Sequence, residues 1–437
     1  MKSIINNYYD TFFIQLIGDY MFNALLSLST ILLITSGIYF SIQLRFPQLQ
    51  WKKIFNMNIR TNNNISPINS LMLALGGKIG VGSLAGISLS IYLGGPGTIF
   101  WIWIISLIIS INTYAESYLG LKYQEKNNGG PSYYIEKGLN NKKLAIIYSI
   151  LILVTYIFGF MSIQSNTIII SVNNYFKINK MLITIILSLI TFISIMKGLK
   201  SIIKITNKLV PIIGIIYILL SIIVILTNIN DIPHIVKDII IDAFDPKQAG
   251  IGIITSFLIG FRKAIFITET GLGTTSIACS CINTNKKVEL SLFQVLGVYF
   301  TIFIVSTSTA LIILTSNYKE VMFASINGVE LVQYALKYHL GNIGSIILII
   351  SIILFAYSTI VAIYYYGESS LNYLTKKRYP QNCLKLLIII IIFLSSLIKS
   401  RVLWNMVDIL ICTLLIINMY SIIKLRRVIV FDYKNNK

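Results

Sequence analysis

Residues 76–86 read GGKIGVGSLAG and lie in the middle of an apolar run that covers residues 69–92. Each glycine inside a helix costs about 1 kcal/mol relative to alanine, so a cluster of them predicts local unwinding. A second cluster, TETGLGTT at residues 268–275, interrupts the apolar run 250–282. In a bilayer, unwound backbone is tolerated only where it is buried in protein or lines a cavity. If these runs cross a membrane, the two breaks predict a polar site within it.

The composition of the chain places these runs in a membrane. Of the 437 residues, 55% are hydrophobic and only 12% are charged, and the mean hydropathy is +0.77. Soluble domains carry about 25% charged residues, so a water-soluble globular protein is excluded. The four cysteines and two histidines show none of the close spacings of a structural metal site.

The lengths of the apolar runs predict an all-α polytopic membrane protein, because a helix of about 20 apolar residues crosses a bilayer. We expect about 11 transmembrane helices in a single domain of residues 1–437. The predicted spans are residues 21–44, 69–92, 98–121, 144–172, 181–196, 205–227, 250–282, 288–315, 343–366, 384–398 and 402–423.

The spacing of the two breaks predicts an internal repeat. Glycine-interrupted segments in matching positions are typical of the first helix in each half of an inverted repeat, where a secondary transporter binds its substrate and ion. We therefore assign residues 69–227 to a first repeat, residues 250–423 to a second and residues 21–44 to an extra helix. The alternative is that the glycines only allow helices to pack closely.

The net charge of +20, from 36 basic and 16 acidic residues, has two interpretations. It is typical of nucleic-acid binding proteins, or it marks the cytoplasmic loops of a membrane protein. With the N-terminus outside, 24 basic residues fall on the cytoplasmic side and nine outside. This asymmetry predicts a multi-pass protein of the cell inner (plasma) membrane, with a cytoplasmic C-terminus and no nucleic-acid partner.

Six charged residues lie within the predicted spans and away from the span ends, where each is a functional-site hypothesis because a buried charge is costly. They are Lys78, Glu116, Arg262, Lys263, Glu269 and Asp408. Three acids and three bases would balance as buried pairs. For Glu269 two roles stay open, contact with a ligand or capping of the half-helix that follows Gly273. For Asp408 we expect a packing or gating role.

A pair of hydroxyl side chains, Ser358 and Thr359, lies within the ninth span. Together with carbonyls freed by an unwound helix, hydroxyls supply the oxygen ligands that a small cation needs. The alternative is that both side chains bond back to their own helix.

Several motifs, in order along nearly the whole chain, resemble those of the alanine or glycine:cation symporter family. GVGSLAG at 80–86 is similar to the family's G-[TV]-G-N-I-A-G, and GGPSYYI at 129–135 to its GGPMYYI. Gln164-Ser165-Asn166 matches Q-[SA]-N. Residues 93–116 resemble LGGPGAxFW…AE, residues 266–273 resemble F-S-N-E-A-G-x-G, and residues 355–368 resemble F-x-F-S-T-x-x-x-W-x-Y-Y-G-E.

The resemblance implies a leucine-transporter-like fold, a 5+5 inverted repeat with one extra N-terminal helix. It also implies sodium-coupled import of a small neutral amino acid, alanine or glycine, with Na⁺ as the co-transported ion, no organic cofactor and no enzymatic activity. The implied substrate-binding residues are Gly80, Val81, Gly82, Ser83, Gln164, Asn166, Thr268, Glu269, Gly271, Gly273 and Ile363. The implied sodium ligands are Gly76, Ile79, Ser358 and Thr359.

The sequence departs from the family pattern at three places. Ser83 replaces an asparagine, residues 267–270 read ITET instead of SNEA, and Ile363 replaces a tryptophan, which predicts a wider pocket. The exact substrate therefore stays open, and so does the alternative of a same-fold transporter that couples to protons or carries another small solute. Membrane lipids are expected partners, and the oligomeric state is left open. The absence of HExxH, GxSxG and GxxxxGK[ST] disfavours an intramembrane enzyme or a pump.

Overall fold

The computed structural model describes residues 2–57, 59–61, 65–244, 253–322, 326, 328–398 and 400–435. Within these ranges, the side chains of residues 2–21 and 400–402 are not described. Residues 250–252, at the beginning of the predicted seventh span, lie outside the described residues.

The described part of the chain forms eighteen helices. They are α1 (Lys2–Leu44), α2 (Trp51–Phe55), α3 (Pro67–Lys78), α4 (Ala85–Gly94), α5 (Gly97–Lys122), α6 (Pro131–Leu139), α7 (Lys142–Phe176), α8 (Lys180–Met196), α9 (Leu199–Thr227), α10 (Ile232–Phe244), α11 (Ile253–Thr268), α12 (Thr274–Cys279), α13 (Lys287–Leu314), α14 (Tyr318–Met322), α15 (Val329–Leu374), α16 (Arg378–Ser395), α17 (Ser400–Lys424) and α18 (Arg426–Asn435).

The predicted all-α membrane architecture is confirmed. Among the described residues, eight helices are long and apolar enough to cross a bilayer, and the bent pair α3–α4 brings the number to nine. The other two predicted spans correspond to α8, a shorter apolar helix, and to the broken pair α11–α12. Each of the eleven predicted segments is therefore helical over most of its described length, although two of them lack the length of a standard span.

The first break lies between α3 and α4, whose axes differ by 61°. The helix α3 begins with Ser66, whose side chain accepts a hydrogen bond from the Asn69 N–H at 3.2 Å, and with Pro67, which suits the first turn. It ends at Lys78, and Gly80 adopts an extended conformation (φ −103°, ψ −160°). The glycine cluster therefore unwinds the span as predicted.

The second break lies between α11 and α12. Gly271 and Gly273 take positive φ values of 82° and 76°, which a glycine adopts without steric cost. Glu269 also has a positive φ of 51°, an uncommon conformation for a residue with a side chain. Such a conformation persists only where the surroundings hold it, and it is frequent at ligand sites.

The helix α1 is longer than the predicted span, since it begins at Lys2 instead of residue 21. The first twenty residues include charged and amide side chains, so hydropathy gives no sign of this extension. Its apolar part packs against α5, where the Asn112 side chain donates to the Leu33 carbonyl at 2.9 Å.

Among the described residues, five short helices outside the spans were not predicted: α2, α6, α10, α14 and α18. The helix α10 lies at one end of α5, where the Asp242 carboxylate accepts the Gly97 N–H at 2.7 Å. At the other end of α5, α18 is held by an ion pair between Lys122 and Asp432. The Tyr118 hydroxyl donates to the same carboxylate at 2.5 Å.

Candidate substrate and cation site

The first break meets the hydroxyl pair of α15. Thr359 Oγ1 donates a hydrogen bond to the Gly76 carbonyl at 2.8 Å, and to the Phe355 carbonyl of its own helix at 3.0 Å. Ser358 Oγ bonds back to Phe355 at 2.9 Å. The structure therefore places Thr359 directly against the end of α3, with Ser358 beside it in the chain. The Ile79 N–H closes α3 by donating to the Leu75 carbonyl at 2.7 Å.

The amide of Gln164, in the middle of α7, also reaches the first break. Its Oε1 accepts the Val81 N–H at 3.1 Å. A Cβ atom added at Gly80 would lie 2.7 Å from Gln164 Nε2 and 2.8 Å from Thr359 Oγ1. The unwound turn is thus held between α7 and α15, and Gly80 is needed because its neighbours leave no room for a side chain.

The second break is held by side chains from helices distant in the sequence. Glu116 of α5 accepts the Gly273 N–H at 3.0 Å. The Asn418 amide of α17 donates to the Gly271 carbonyl at 2.9 Å, and the Tyr148 hydroxyl of α7 donates to the Leu272 carbonyl at 2.8 Å. Backbone groups freed by the break are therefore satisfied by side chains, as burial requires.

These contacts refine the role considered for Glu269. Its Oε2 accepts a hydrogen bond from the Thr274 hydroxyl at 2.8 Å, whereas the Gly273 N–H goes to Glu116. The backbone N–H at the beginning of α12 is thus capped from α5. The other oxygen of Glu269 is fully buried without a hydrogen-bond partner among the described residues, which leaves it available to a ligand.

Lys78 is the last residue of α3, at the first break, and interacts electrostatically with both Glu116 and Glu269. All three side chains are buried. Lys78 Nζ, Glu116 Oε1 and Glu269 Oε1 each lack a hydrogen-bond partner among the described residues. Two carboxyls facing one ammonium carry a net negative charge when all three are ionised, which favours a further cation or proton nearby.

Aromatic rings line the other side of the first break. Phe160 stacks on Phe266 with ring centroids 4.9 Å apart, and Phe266 contacts Trp404 at 4.7 Å. A Cβ atom at Gly82 would lie 2.7 Å from the Phe266 ring. Phe160 belongs to the π-helical stretch Leu153–Phe160, and such π segments are frequent at functional sites.

Beyond these rings lies a cavity of about 690 Å³, which we call the vestibule. Its lining includes Ala85, Leu89, Arg262, Lys263, Trp404 and Asp408. Arg262 forms an ion pair with Asp408, and Lys263 Nζ lies 4.5 Å from the centre of the Trp404 ring, a cation–π contact. One of the expected in-span ion pairs is therefore present, while Lys263 is stabilised by an aromatic ring.

Not all of the predicted substrate-binding residues lie at the two breaks. Ser83 is buried at the first break, and its hydroxyl has no hydrogen-bond partner among the described residues. Thr268 Oγ1 accepts the Thr270 N–H at 3.3 Å within the second break. Ile363 is buried one turn after Thr359. Asn166 differs, because its amide donates to the Ser395 and Ile398 carbonyls at the end of α16, at 2.6 and 3.1 Å.

Sequence reasoning gave no role to several residues of this site. Asn418 and Tyr148 carry no motif, so only the folded chain shows that they hold the second break. The charge of Glu116 within a predicted span and the place of Phe266 at the start of a family motif both indicate functional positions. The sequence does not show which groups these two side chains contact.

A membrane domain built around two broken helices is typical of secondary transporters. The fold is that of leucine-transporter-like proteins, an all-helical arrangement shared with solved transporters. Residues 8–437 match the model of the sodium:alanine symporter family. The chain belongs to this family.

Curated relatives agree over most of the chain. The probable sodium/glutamine symporter GlnT of Bacillus subtilis is 31% identical over 421 residues, which cover 93% of this chain and 88% of the relative. The amino-acid carrier protein AlsT of the same organism is 30% identical, with 92% and 88% covered. The sodium/alanine symporter AgcS of Methanococcus maripaludis is 28% identical, with 92% and 93% covered.

Solved structures show the likeness of the fold. The crystal structure of MhsT in complex with L-phenylalanine aligns with a TM-score of 0.62 at 15% identity, and the alignment covers 84% of this chain and 89% of MhsT. A Na⁺-coupled sialic acid symporter aligns with a TM-score of 0.57 at 15% identity, with 86% and 81% covered.

Proposed function

We propose that this amino acid:cation symporter imports a small neutral amino acid, alanine or glycine, together with sodium by alternating access. The observation that supports it most directly is the contact of Thr359 Oγ1 with the Gly76 carbonyl at 2.8 Å. Half-helix C-terminal ends and unwound carbonyls are the groups that coordinate Na⁺ in such transporters. The four proposed ligands are the carbonyls of Gly76 and Ile79 and the hydroxyls of Ser358 and Thr359.

The proposed substrate position lies between the two breaks. The N-terminal end of α4 carries partial positive charge, which favours the substrate carboxylate near residues 80–83. The amino group would meet the carbonyls and the free Glu269 oxygen at the second break. Gly80 and Gly82 have no space for a side chain of their own, and this tight packing favours a small substrate such as alanine or glycine.

The direction of transport follows from the proposed orientation. If the N-terminus lies outside, the vestibule opens toward the exterior. The helix α3, which precedes the first break, then lies on the cytoplasmic side. One sodium ion that moves inward down the membrane potential supplies about 2.3 kcal/mol per 100 mV. That energy corresponds to about a fiftyfold concentration of a neutral solute.

The decisive experiment is uptake of labelled alanine into proteoliposomes of the purified protein. We expect uptake with an inward sodium gradient and little with a proton gradient of equal size. Sodium-independent uptake would contradict the proposed coupling. Competition by unlabelled glycine and glutamine then tests the substrate, since one relative is named a probable sodium/glutamine symporter and Ile363 gives the pocket more room than tryptophan would.

A second candidate is proton coupling by the same fold, which the Lys78, Glu116 and Glu269 cluster favours. One of the two carboxyls would carry the proton, because a net charge inside a membrane is costly. Another relative is named a putative sodium/proton-dependent alanine carrier protein. Alkalinisation of the external medium during alanine uptake, abolished in Glu269→Gln, would support this candidate against sodium alone.

A further inference from the structure

An apolar groove of about 480 Å³ lies outside the transport path, between α2, α3, α9 and α13. Its walls are almost entirely hydrocarbon and aromatic side chains. They include Phe55, Leu71, Leu75, Pro211, Phe300 and Phe303. The volume is within the range of pockets that bind organic ligands, about 300–1,000 Å³.

The groove is a product of two irregular helices. Pro211 lies inside α9 and has no N–H to continue the helical hydrogen bonds. Gly214, one turn further, leaves its position bare, and a Cβ atom there would lie 3.2 Å from the Phe300 ring. Phe300 begins the π-helical stretch Phe300–Ser306 of α13. The Phe300 ring therefore packs closely against the bare position of Gly214, and the groove lies beside this contact, where Pro211, Gly214 and Phe300 all line it.

One end of the groove is marked by a pair of interfacial aromatic residues. Trp51 stacks on Tyr299 with centroids 5.1 Å apart and an angle of 19°, and 45% of its surface is exposed. Tryptophan and tyrosine are enriched at the depth of lipid headgroups. The groove therefore runs from headgroup depth at Trp51 into the hydrocarbon region along α9.

Exposed lysines adjoin the lining residues of this end in the chain. Lys52 and Lys53 follow Trp51 in α2, and Lys208 lies one turn before Pro211 in α9. None of the ion pairs among the described residues includes them. The chain has no acidic residue between positions 45 and 68 or between 197 and 211. The first turn of α13, which packs against α2, adds Lys287 and one acidic residue, Glu289. An apolar recess flanked mainly by basic residues is complementary to an acyl chain that carries an anionic headgroup.

We propose that this groove is a binding site for an anionic phospholipid. One acyl chain lies along α9 against Pro211 and Phe300, and the phosphate is bound by Lys52, Lys53 and Lys208. The bound chain contacts Leu75, whose carbonyl accepts the Ile79 N–H that ends α3. The lipid therefore supports the half-helix that leads into the first break. This proposal does not depend on the identity of the transported solute or ion.

The test uses Trp51 as a reporter in liposomes that contain the full-length protein. Phosphatidylglycerol or phosphatidylcholine with brominated chains is titrated in, and the quenching of Trp51 is obtained as the difference between wild type and Trp51→Phe. We expect phosphatidylglycerol to quench at a lower mole fraction than phosphatidylcholine, by about fivefold for each lysine that contacts the headgroup. Equal quenching by the two lipids would show ordinary annular contact and overturn the proposal.

Two matched pairs of variants locate the site. The double variant Lys52→Gln/Lys53→Gln should lose most of the preference for phosphatidylglycerol, whereas Lys376→Gln/Lys377→Gln, an exposed basic pair beyond α15, should keep it. Ile215→Phe, which fills the groove, should weaken Trp51 quenching, whereas Leu219→Phe, exposed one turn further on α9 and outside the groove, should not. An unchanged preference in Lys52→Gln/Lys53→Gln, or equal effects within either pair, would overturn the site.

Discussion

Two glycines four residues apart, Gly82 in the first break and Gly86 at the beginning of α4, have very different surroundings. A Cβ atom at Gly82 would lie 2.7 Å from the Phe266 ring, whereas at Gly86 the nearest atoms are 3.9 Å away or more. We expect Gly82→Ala to abolish uptake, because the ring or the first break must move, and Gly86→Ala to keep most of it. Labelled-alanine uptake, normalised to protein in the membrane, measures both. An equal loss of uptake in the two variants would mean that both glycines serve helix packing and that Gly82 has no special role at the site.

The hydroxyl of Thr359 has a matched control on its own helix. Thr359→Ala removes one proposed oxygen ligand. Ser351→Ala removes a buried hydroxyl that, among the described residues, bonds only to the Ile347 carbonyl of its own helix. Because a hydrogen-bonding group that faces a charge contributes about 1.5 kcal/mol, we expect about a tenfold higher sodium concentration for half-maximal uptake in Thr359→Ala. Ser351→Ala should leave that concentration unchanged. A sodium dependence unaltered in Thr359→Ala would remove this side chain from the proposed ion site.

At the scale of the helices, Glu116 connects α5 to the second break. Glu116→Gln keeps an oxygen that can accept the Gly273 N–H, whereas Glu116→Ala leaves that N–H buried and unpaired. A buried unpaired donor costs about 2 kcal/mol, so the melting temperature in detergent should fall clearly in Glu116→Ala and little in Glu116→Gln. Exposed Glu320 supplies the control, since Glu320→Ala should not change it. Equal melting temperatures for the two Glu116 variants would contradict the capping role.

The breaks illustrate how far the sequence alone could predict the fold and the candidate site. Glycine clusters in apolar runs report unwinding directly, because their effect is local, and both breaks were predicted correctly. The partner of Glu116 is 157 residues away in the chain, and no local pattern encodes that distance. The π-helical segments and α6 cannot be predicted from apolar runs either, because neither is marked by a change in the hydropathy of the sequence. Asn166 matched a motif, yet its amide binds the end of α16.

At the scale of the whole molecule, the orientation in the membrane stays a prediction that a natural cysteine can test. Cys383 of α16 is exposed, whereas Cys279, Cys281 and Cys412 are buried. The distribution of basic residues predicts that Cys383 faces the cytoplasm. A membrane-impermeant maleimide should therefore label the protein in inside-out vesicles and not in intact cells, and Cys383→Ser should lose the signal. Labelling in intact cells would reverse the topology.

The C-terminal helix α18 has a practical consequence for work on this transporter. It rests on Tyr118 and Lys122 of α5, the helix that supplies Glu116 to the second break. Tyr433 of α18 also packs edge-on against Tyr114, with ring centroids 5.8 Å apart. An antibody fragment raised against α18 would therefore bind a helix that is held against α5. We expect such a binder to keep a fixed orientation relative to α5, which would make it a rigid marker for imaging.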